Sequence, residues 1–306
     1  MRFSLWKPLA SPAPAFSYRW FTGFFIFAHI ASPMRCLTVL LILFVTSLNA
    51  QPVQVMTYNL RLDTSADGVN RWDNRKEKVV ALIKKYDPDI IGVQEALHHQ
   101  LVDMVDRLRG YTYFGVGRDD GKQKGEHSAI FIRKKRFTVL EQNTFWLSQT
   151  PNVPGSKDWD AAITRVATWG RLKDKKSGRT FLMMNTHFDH IGKEARRQSA
   201  GIVKERAGEL SQGLPVILTG DFNFKREDPP YQVLMGDSGL RLIDAAPDSP
   251  GTFCGFKVGA MPCIAIDYIF HSEHWKAENF RVIQDHDGTY YPSDHLPVMV
   301  SLTLSK

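Results

Sequence analysis

The segment Val216-Ile217-Leu218-Thr219-Gly220-Asp221-Phe222-Asn223 joins an apolar run to a cluster of polar side chains. Three consecutive aliphatic residues predict a short strand that is buried on both faces. Asp221 and Asn223 are two residues apart, so in an extended segment their side chains point to the same face. Gly220 permits the close turn that directs them. The segment therefore predicts a buried strand that ends in a polar site.

Polar residues stand next to apolar runs at five further places along the chain. They are Asn59 after Met56-Thr57-Tyr58, Gln94-Glu95 after Ile90-Ile91-Gly92-Val93, Asn185-Thr186-His187 after Phe181-Leu182-Met183-Met184, Asp267 within 264–270, and Ser293-Asp294-His295 before the last apolar run. A buried polar group without a partner costs about 1–3 kcal/mol. One such residue is usually a satisfied core residue. Six occurrences in one chain favour a shared cleft at a sheet edge.

The apolar periodicity predicts both strands and helices. Predicted strands lie at 53–58, 90–93, 128–132, 165–172, 181–185, 216–218, 264–270 and 298–304, and predicted helices at 79–86, 97–110 and 193–211. The helix before Asp87-Pro88 ends there because proline disfavours continuation. Early β-α-β-α units followed by strand-rich stretches indicate sheets with helices packed outside them. No repeat or linker divides residues 51–306, which predicts a single domain over that range.

The polar set is rich in oxygen donors. It comprises Asn59, Glu95, Asp221, Asn223, Asp267 and Asp294, with two imidazoles, His187 and His295. Carboxylate and carboxamide oxygens suit Mg²⁺ or Mn²⁺ better than they suit zinc. The sequence has no His-Glu-x-x-His, Cys-x-x-Cys or Gly-x-Ser-x-Gly motif and no glycine-rich phosphate loop. A hard-cation site with open positions, as phosphoester cleavage requires, is the chemistry that this set indicates.

Composition and charge exclude several classes of protein. The chain has 306 residues, is 23% charged and carries a formal net charge of +7. Disordered, collagen-like and disulfide-rich miniature proteins do not have this composition. Four of the seven charges come from Arg2, Lys7, Arg19 and Arg35 in a segment without acidic residues, so residues 51–306 carry only +3. The charge alone therefore does not indicate nucleic-acid binding.

Residues 1–50 are typical of a leader. Met34 and Arg35 form a short positive start, 37–45 is an apolar core, and Ala50 offers a cleavage site. We therefore expect translation to begin at Met34, and the mature chain to be exported to the periplasm or outside the cell with no stable membrane span. An uncleaved membrane anchor is the alternative. Cys254 and Cys263 would then be either a disulfide or two buried thiols.

The six polar motifs, in this order over residues 57–295, resemble the endonuclease/exonuclease/phosphatase superfamily. Within it, the chain is most similar to exported bacterial members near the deadenylase and nocturnin branch, through segments that include Trp72-Asp73-Asn74-Arg75 and Thr186-His187-Phe188-Asp189-His190. The resemblance implies a DNase-I-like, four-layer α/β sandwich, with two packed β-sheets flanked by helices and the site at one rim of the sheets. It also implies a monomeric, Mg²⁺- or Mn²⁺-dependent phosphoesterase.

The resemblance also implies roles for the motif residues. Glu95 would be the principal metal ligand, with Asn59 and Asp294 beside it. His295 paired with Asp267 would act as general base or stabilise charge, and Asp221 and Asn223 would orient the nucleophile. His187 would donate to a phosphoryl oxygen. The family comparison leaves open the number of metals and whether Asp221 or His295 takes the proton.

Substrate contacts and substrate class are less determined. The candidate contacts around the motifs are Arg75, His98, His127, Asp160, Arg165, Asp189 and His190. Arg165 is the best of them, because a guanidinium can bind phosphate through two hydrogen bonds. The substrate is expected to be a phosphomonoester or phosphodiester. The alternatives are a nuclease acting on DNA or RNA, supported by the basic runs 133–136 and 173–176, and a non-catalytic binding protein on the same scaffold.

Overall fold

The computed structural model describes residues 51–305, which form two six-stranded sheets. The first sheet has the order β11 (Trp275–Val282), β12 (Val298–Leu304), β1 (Val53–Asn59), β2 (Ile90–Gln94), β4 (Ile130–Arg133) and β3 (Tyr111–Phe114). The second has the order β5 (Phe137–Trp146), β6 (Val166–Asp174), β7 (Thr180–His187), β8 (Val216–Asp221), β10 (Asp267–Ser272) and β9 (Leu242–Asp244). The leader predicted at 1–50, with its start at Met34, lies outside the described residues.

Helices cover the outer face of each sheet. They are α1 (Trp72–Tyr86), α2 (His98–Arg107), α3 (Lys193–Ser211) and α4 (Pro229–Met235), with a 3-10 turn at Ser65–Asn70. One apolar cluster joins α1 and α2 to the first sheet, and a second joins α3 and α4 to the second sheet. A third cluster, which includes Val55, Ile217 and Val300, lies between the two sheets. The fold is therefore the four-layer sandwich expected from the sequence.

Strand register brings the polar motifs to one edge of the sheets. In the first sheet β1 and β2 are parallel, and Asn59 pairs with Gln94 at their carboxyl ends. In the second sheet β7 and β8 are parallel and His187 pairs with Asp221, while antiparallel β10 places Asp267 opposite Asp221. Motifs that are far apart in sequence thus lie side by side.

A polar network crosses from one sheet to the other just below this edge. Gln94 Nε2 donates to Asn185 Oδ1 at 2.7 Å, and Thr219 Oγ1 donates to the same oxygen at 3.0 Å. Gly92 is required here, because a Cβ at this position would lie 2.2 Å from Thr219 Oγ1. Every buried polar atom in such a network needs a partner. The network therefore fixes how the two sheets face each other near the site.

Several elements differ from the sequence-based prediction. The helix at 193–211 and the strand at 298–304 match, but β3, β5, β9, β11 and α4 were not predicted. Strands β5 and β11 carry exposed charged and polar residues at their centres, so their apolar pattern is broken. At the basic run 133–136 the chain passes from the first sheet to the second. Its Arg136 is buried between Asp89 and Asp174.

Cys254 and Cys263 form a disulfide, which decides between the two alternatives left by the sequence. Across residues 51–305, none of the helices has the length and apolar character needed to cross a membrane.

Candidate active site

Three ligand-type side chains converge where the carboxyl ends of the strands meet. One donor atom from each of Glu95, Asp221 and His295 lies within 4.8 Å of the other two. All three side chains line a cleft of about 360 Å³. Glu95 lies just after β2 with a positive φ of 61°, which turns its carboxylate towards the end of β1. Carboxylate oxygens grouped in this way are typical ligands of a hard divalent cation.

Asn59 lies between these groups. Its Nδ2 donates to Glu95 Oε1 at 3.0 Å and to Asp221 Oδ2 at 2.9 Å, while its Oδ1 accepts from the Arg61 backbone N–H at 2.9 Å. The amide thus presents its NH₂ group to the carboxylates. As a metal ligand Asn59 would have to rotate and present its oxygen, so its predicted role differs from the hydrogen bonds seen here.

The imidazole of His295 is oriented by a carboxylate. His295 Nδ1 lies 2.9 Å from Asp267 Oδ2, and the same oxygen accepts a hydrogen bond from Thr252 Oγ1 at 2.6 Å. Burial alone would lower the pKa of His295, but the carboxylates of Asp267 and Asp221 raise this pKa well above its ordinary value. These carboxylates therefore favour the protonated form of His295. Its Nε2 faces the cleft, 3.7 Å from Asp221 Oδ2.

The pKa values of Asp221 and His187 are shifted in directions that suit acid–base chemistry. Burial, together with the nearby carboxylate of Asp267, raises the pKa of Asp221 to about 7. Burial, together with the positive charge of Arg165, lowers the pKa of His187 well below its ordinary value, so its imidazole stays neutral. His187 Nε2 lies 3.0 Å from Asn223 Nδ2. Perturbed values of this kind cluster at functional sites.

Asp294 and two of the predicted substrate contacts, Arg165 and His190, also line the cleft. His127 lines a smaller cavity behind His187. Within the described chain, the other four predicted contacts do not line the cleft: Arg75, His98, Asp160 and Asp189.

Three of these four side chains have another role in the fold. Arg75 is buried and donates to backbone carbonyls, including those of Asn70 and Arg61. Asp160 accepts from the N–H groups of Glu194 and Ala195 at the start of α3. Asp189 accepts from the backbone of residues 163, 191 and 192. The polar atoms of these three side chains therefore bind backbone groups. His98 lies at the start of α2, with its ring centre 6.1 Å from that of His127.

Sequence reasoning missed three charged residues of the cleft region. Arg61 lies 3.8 Å from Glu95 Oε2 and 3.9 Å from Asp294 Oδ2, and it also pairs with Asp67. Glu126 lines the cleft and pairs with Arg118 at 2.7 Å. Glu126 stands four residues before β4, too far from the strand for the polar-next-to-strand pattern to identify it. Arg118 lies in a loop and has no such signal.

The comparisons with known proteins agree with this geometry. A family model described as the endonuclease/exonuclease/phosphatase family matches residues 56–295. A crystal structure of a protein of this family from Bacteroides thetaiotaomicron is 40% identical, with a TM-score of 0.80 over 84% of this chain and 99% of that one. A mannosyl-6-phosphatase from the same organism is 41% identical, with a TM-score of 0.78 over 82% of this chain and 100% of that one.

Curated relatives include nocturnins. The nocturnin of Drosophila melanogaster is 25% identical over 90% of this chain, and that of Mus musculus is 23% identical over 83% of it. The matches cover 50% and 66% of those two proteins, so the chain spans between half and two thirds of their length.

Proposed function

Because the chain belongs to the endonuclease/exonuclease/phosphatase family, we propose that it is a divalent-metal-dependent hydrolase of phosphoester bonds. The observation that carries the proposal is the convergence of Glu95, Asp221 and His295 in one cleft, with Asp267 behind the imidazole. The oxygen-rich donor set supports Mg²⁺ or Mn²⁺ as the cation. Similarity to a mannosyl-6-phosphatase over that protein's whole length supports a small phosphomonoester as substrate.

The proposed role of each side chain follows from its environment. Glu95 would hold the cation, with Asp294 and a rotated Asn59 beside it, and the cation would supply positive charge to the phosphoryl oxygens. A water oxygen forms a bond to phosphorus as the bond to the ester oxygen breaks, and the departing oxygen takes a proton from solvent. Asp221, with a pKa raised by burial to about 7, accepts the proton of the attacking water.

His295 and His187 have complementary charges in this scheme. Protonated His295, held by Asp267 at 2.9 Å, stabilises the negative charge that builds up beside Asp221. Neutral His187 and the amide of Asn223 lie 3.0 Å apart and are assigned as hydrogen-bond partners of the phosphoryl oxygens. This scheme assigns proton acceptance to Asp221, a choice that the sequence left open.

The proposal is tested by phosphate release from the purified protein over nucleotides, sugar phosphates, phospholipids and oligonucleotides, with Mn²⁺ and with a chelator. We expect turnover that the chelator abolishes and Mn²⁺ restores. The variants Glu95→Gln, Asp221→Asn and His295→Ala should each lower kcat by at least about 10². Glu209→Gln, an exposed change on α3, is the control. Wild-type rates in all three site variants would show that the site is wrongly assigned.

A nuclease is the second candidate. One relative is an exoribonuclease subunit, Ccr4 of Mycosarcoma maydis, 24% identical over 82% of this chain. The basic runs 133–136 and 173–176 give this candidate little support. The first run begins at the end of β4 and the second at the end of β6. The opposite end of each strand faces the cleft, so both runs lie at the end of the sheet that is away from the cleft. A nuclease should degrade oligonucleotides, with an affinity that falls steeply with salt.

We also propose that the protein is exported. The apolar run at 37–45 and the Cys254–Cys263 disulfide support an exported enzyme, because disulfides persist in oxidising compartments. Mass spectrometry of the native protein should find an N-terminus near Gln51. A native N-terminus at Met1 or Met34 would contradict cleavage.

A further inference from the structure

Four charged side chains form a wall beside the proposed catalytic centre: Arg118, Glu126, Arg165 and Asp189. Glu126 Oε2 lies 2.7 Å from Arg118 Nη1 and 3.9 Å from Arg165 Nη1. On its other side, Arg165 Nε lies 3.8 Å from Asp189 Oδ2. Two guanidinium groups are thus matched by two carboxylates. The wall offers many hydrogen-bonding atoms but little net charge.

This wall is open to a ligand in the cleft. Glu126, Arg165 and His190 line the same cleft as the proposed metal ligands. Arg165 is only 5% exposed and lies behind Glu126, with its Nη2 3.2 Å from His190 Nδ1. Glu126 Oε2 lies 3.9 Å from His187 Nδ1, so the wall begins beside the phosphoryl position.

We propose that Glu126, with Arg165 and His190, forms a subsite for the hydroxyl groups of the leaving group, so that the substrate is a small polyol phosphate such as a hexose phosphate. This inference rests on the proposed function and adds a substrate class to it. A hydroxyl group both donates and accepts. It can therefore donate to the Glu126 carboxylate, which Arg118 and Arg165 hold in place.

The charge balance separates this substrate class from nucleic acids. A polynucleotide carries a further phosphate next to the reacting one, and that phosphate is best bound by uncompensated arginine or lysine. Here Glu126 and Asp189 neutralise the arginines, and Glu126 would repel a second phosphate. Phe253 and Ile163 line the same cleft and offer apolar surface to the C–H face of a sugar ring.

The test is Glu126→Gln, assayed with Mn²⁺ on mannose 6-phosphate and on p-nitrophenyl phosphate, which has no hydroxyl groups on its leaving group. We expect kcat/KM for the sugar phosphate to fall at least about tenfold, mainly through KM, and that for the aryl phosphate to stay within about twofold. Glu141→Gln is the matched control, because Glu141 also pairs with an arginine at 2.7 Å but on the exposed strand β5. Equal losses on both substrates, or no loss on either, would overturn the subsite.

Two further measurements separate the subsite from the proposed function and from misfolding. Calorimetric binding of mannose 6-phosphate needs no turnover. Binding that Glu126→Gln weakens at least about tenfold supports the subsite even if no phosphate is released, whereas absence of binding to the wild type overturns it. If thermal melting shows that the glutamine variant is unfolded, Glu126→Asp keeps the charge and withdraws it by one methylene. This variant should show the same selective loss, and an unselective loss would reject the subsite.

Discussion

At the scale of single residues, the charge state of each histidine in the site depends on the groups that contact it. Thr252 donates to Asp267, and Asp267 holds Nδ1 of His295, so the remaining nitrogen of the imidazole faces the cleft. A carboxylate in this position fixes the tautomer and raises the basicity of the ring. The opposite environment, burial beside Arg165, keeps His187 neutral. Two histidines of the same site therefore carry different charges.

Arg75 supports the proposed ligands without lining the cleft. Its guanidinium donates to the carbonyls of Leu60 and Arg61 after β1 and to the carbonyl of Pro292, just before Asp294. It therefore ties together the two segments that carry Asn59 and Asp294. Lysine cannot replace it, because an ammonium group lacks the planar set of five donors.

We expect Arg75→Lys to lower the free energy of unfolding by about 2–4 kcal/mol, since buried carbonyls lose their donors. It should also weaken Mn²⁺ binding several-fold, because the segments that carry Asn59 and Asp294 are no longer held together. Denaturant unfolding and calorimetric Mn²⁺ titration measure the two effects. Arg71→Lys, an exposed change directly before α1, is the control. Unchanged stability and Mn²⁺ affinity would rule out a positioning role.

At the scale of elements, the loop between β9 and β10 connects the disulfide to the site. Cys254 N–H donates to the carbonyl of Asp294 at 3.0 Å, and the carbonyl of Thr252 accepts from Leu296 at 2.7 Å. Phe253 lies between them, with its ring 4.9 Å from that of His295. The disulfide Cys254–Cys263 closes this loop with a sequence separation of 9. The loop thus packs against both sides of His295.

Replacing both cysteines with serine should destabilise the protein by about 2–3 kcal/mol, because closure of so short a loop restricts the unfolded chain by about that amount. It should also lower kcat several-fold, as Thr252 and Phe253 become less ordered around Asp267 and His295. Denaturant unfolding and steady-state kinetics are the measurements. A reductant should bring the wild type to the behaviour of the double variant and leave that variant unchanged. A reductant effect on the double variant would show that the disulfide is not the cause.

At the scale of the whole molecule, stability depends on buried neutral histidines as well as on the apolar clusters. His271 is 3% exposed on β10, and burial lowers its pKa below the ordinary value of 6.5, although the carboxylate of Asp244 acts in the opposite direction. His127 is buried beside the cleft, and burial lowers its pKa in the same way. The folded state thus binds fewer protons than the unfolded state below pH 6.5. The contribution of these histidines to the free energy of unfolding is present above that pH and is lost as the pH falls.

Each such histidine should contribute a loss of up to about 1.4 kcal/mol per pH unit between its unfolded and folded pKa values. His271→Gln should therefore lose less stability than the wild type between about pH 7.5 and about pH 5.5. Urea unfolding at the two pH values measures this difference. His274→Gln, an exposed change just after the same strand, is the control. An equal loss in His271→Gln and wild type would contradict the assignment to His271.

Most of the core of this fold could be predicted because its strands are buried on both faces. Val216–Leu218 and Val298–Leu304 read as strands without any tertiary information, and α2 has a clear helical pattern. Strands β5 and β11 could not be predicted, because they lie at sheet edges and carry polar residues at their centres. Their position in the sheet, rather than their composition, makes them strands.

By itself, the sequence determined that sheets have helices packed outside them, and it determined the identity of the polar set, because a buried strand that ends in a carboxylate, amide or imidazole is costly unless those groups share a cleft. The four-layer arrangement was implied by the family resemblance. Only the tertiary structure decided which polar residues face that cleft. Arg75 and Asp189 carry the same charges as Arg61 and Glu126, yet their polar atoms are bound to backbone groups. The reason is geometric, since strand register and sheet packing set where a side chain points, and sequence spacing does not specify either across the gap between two sheets.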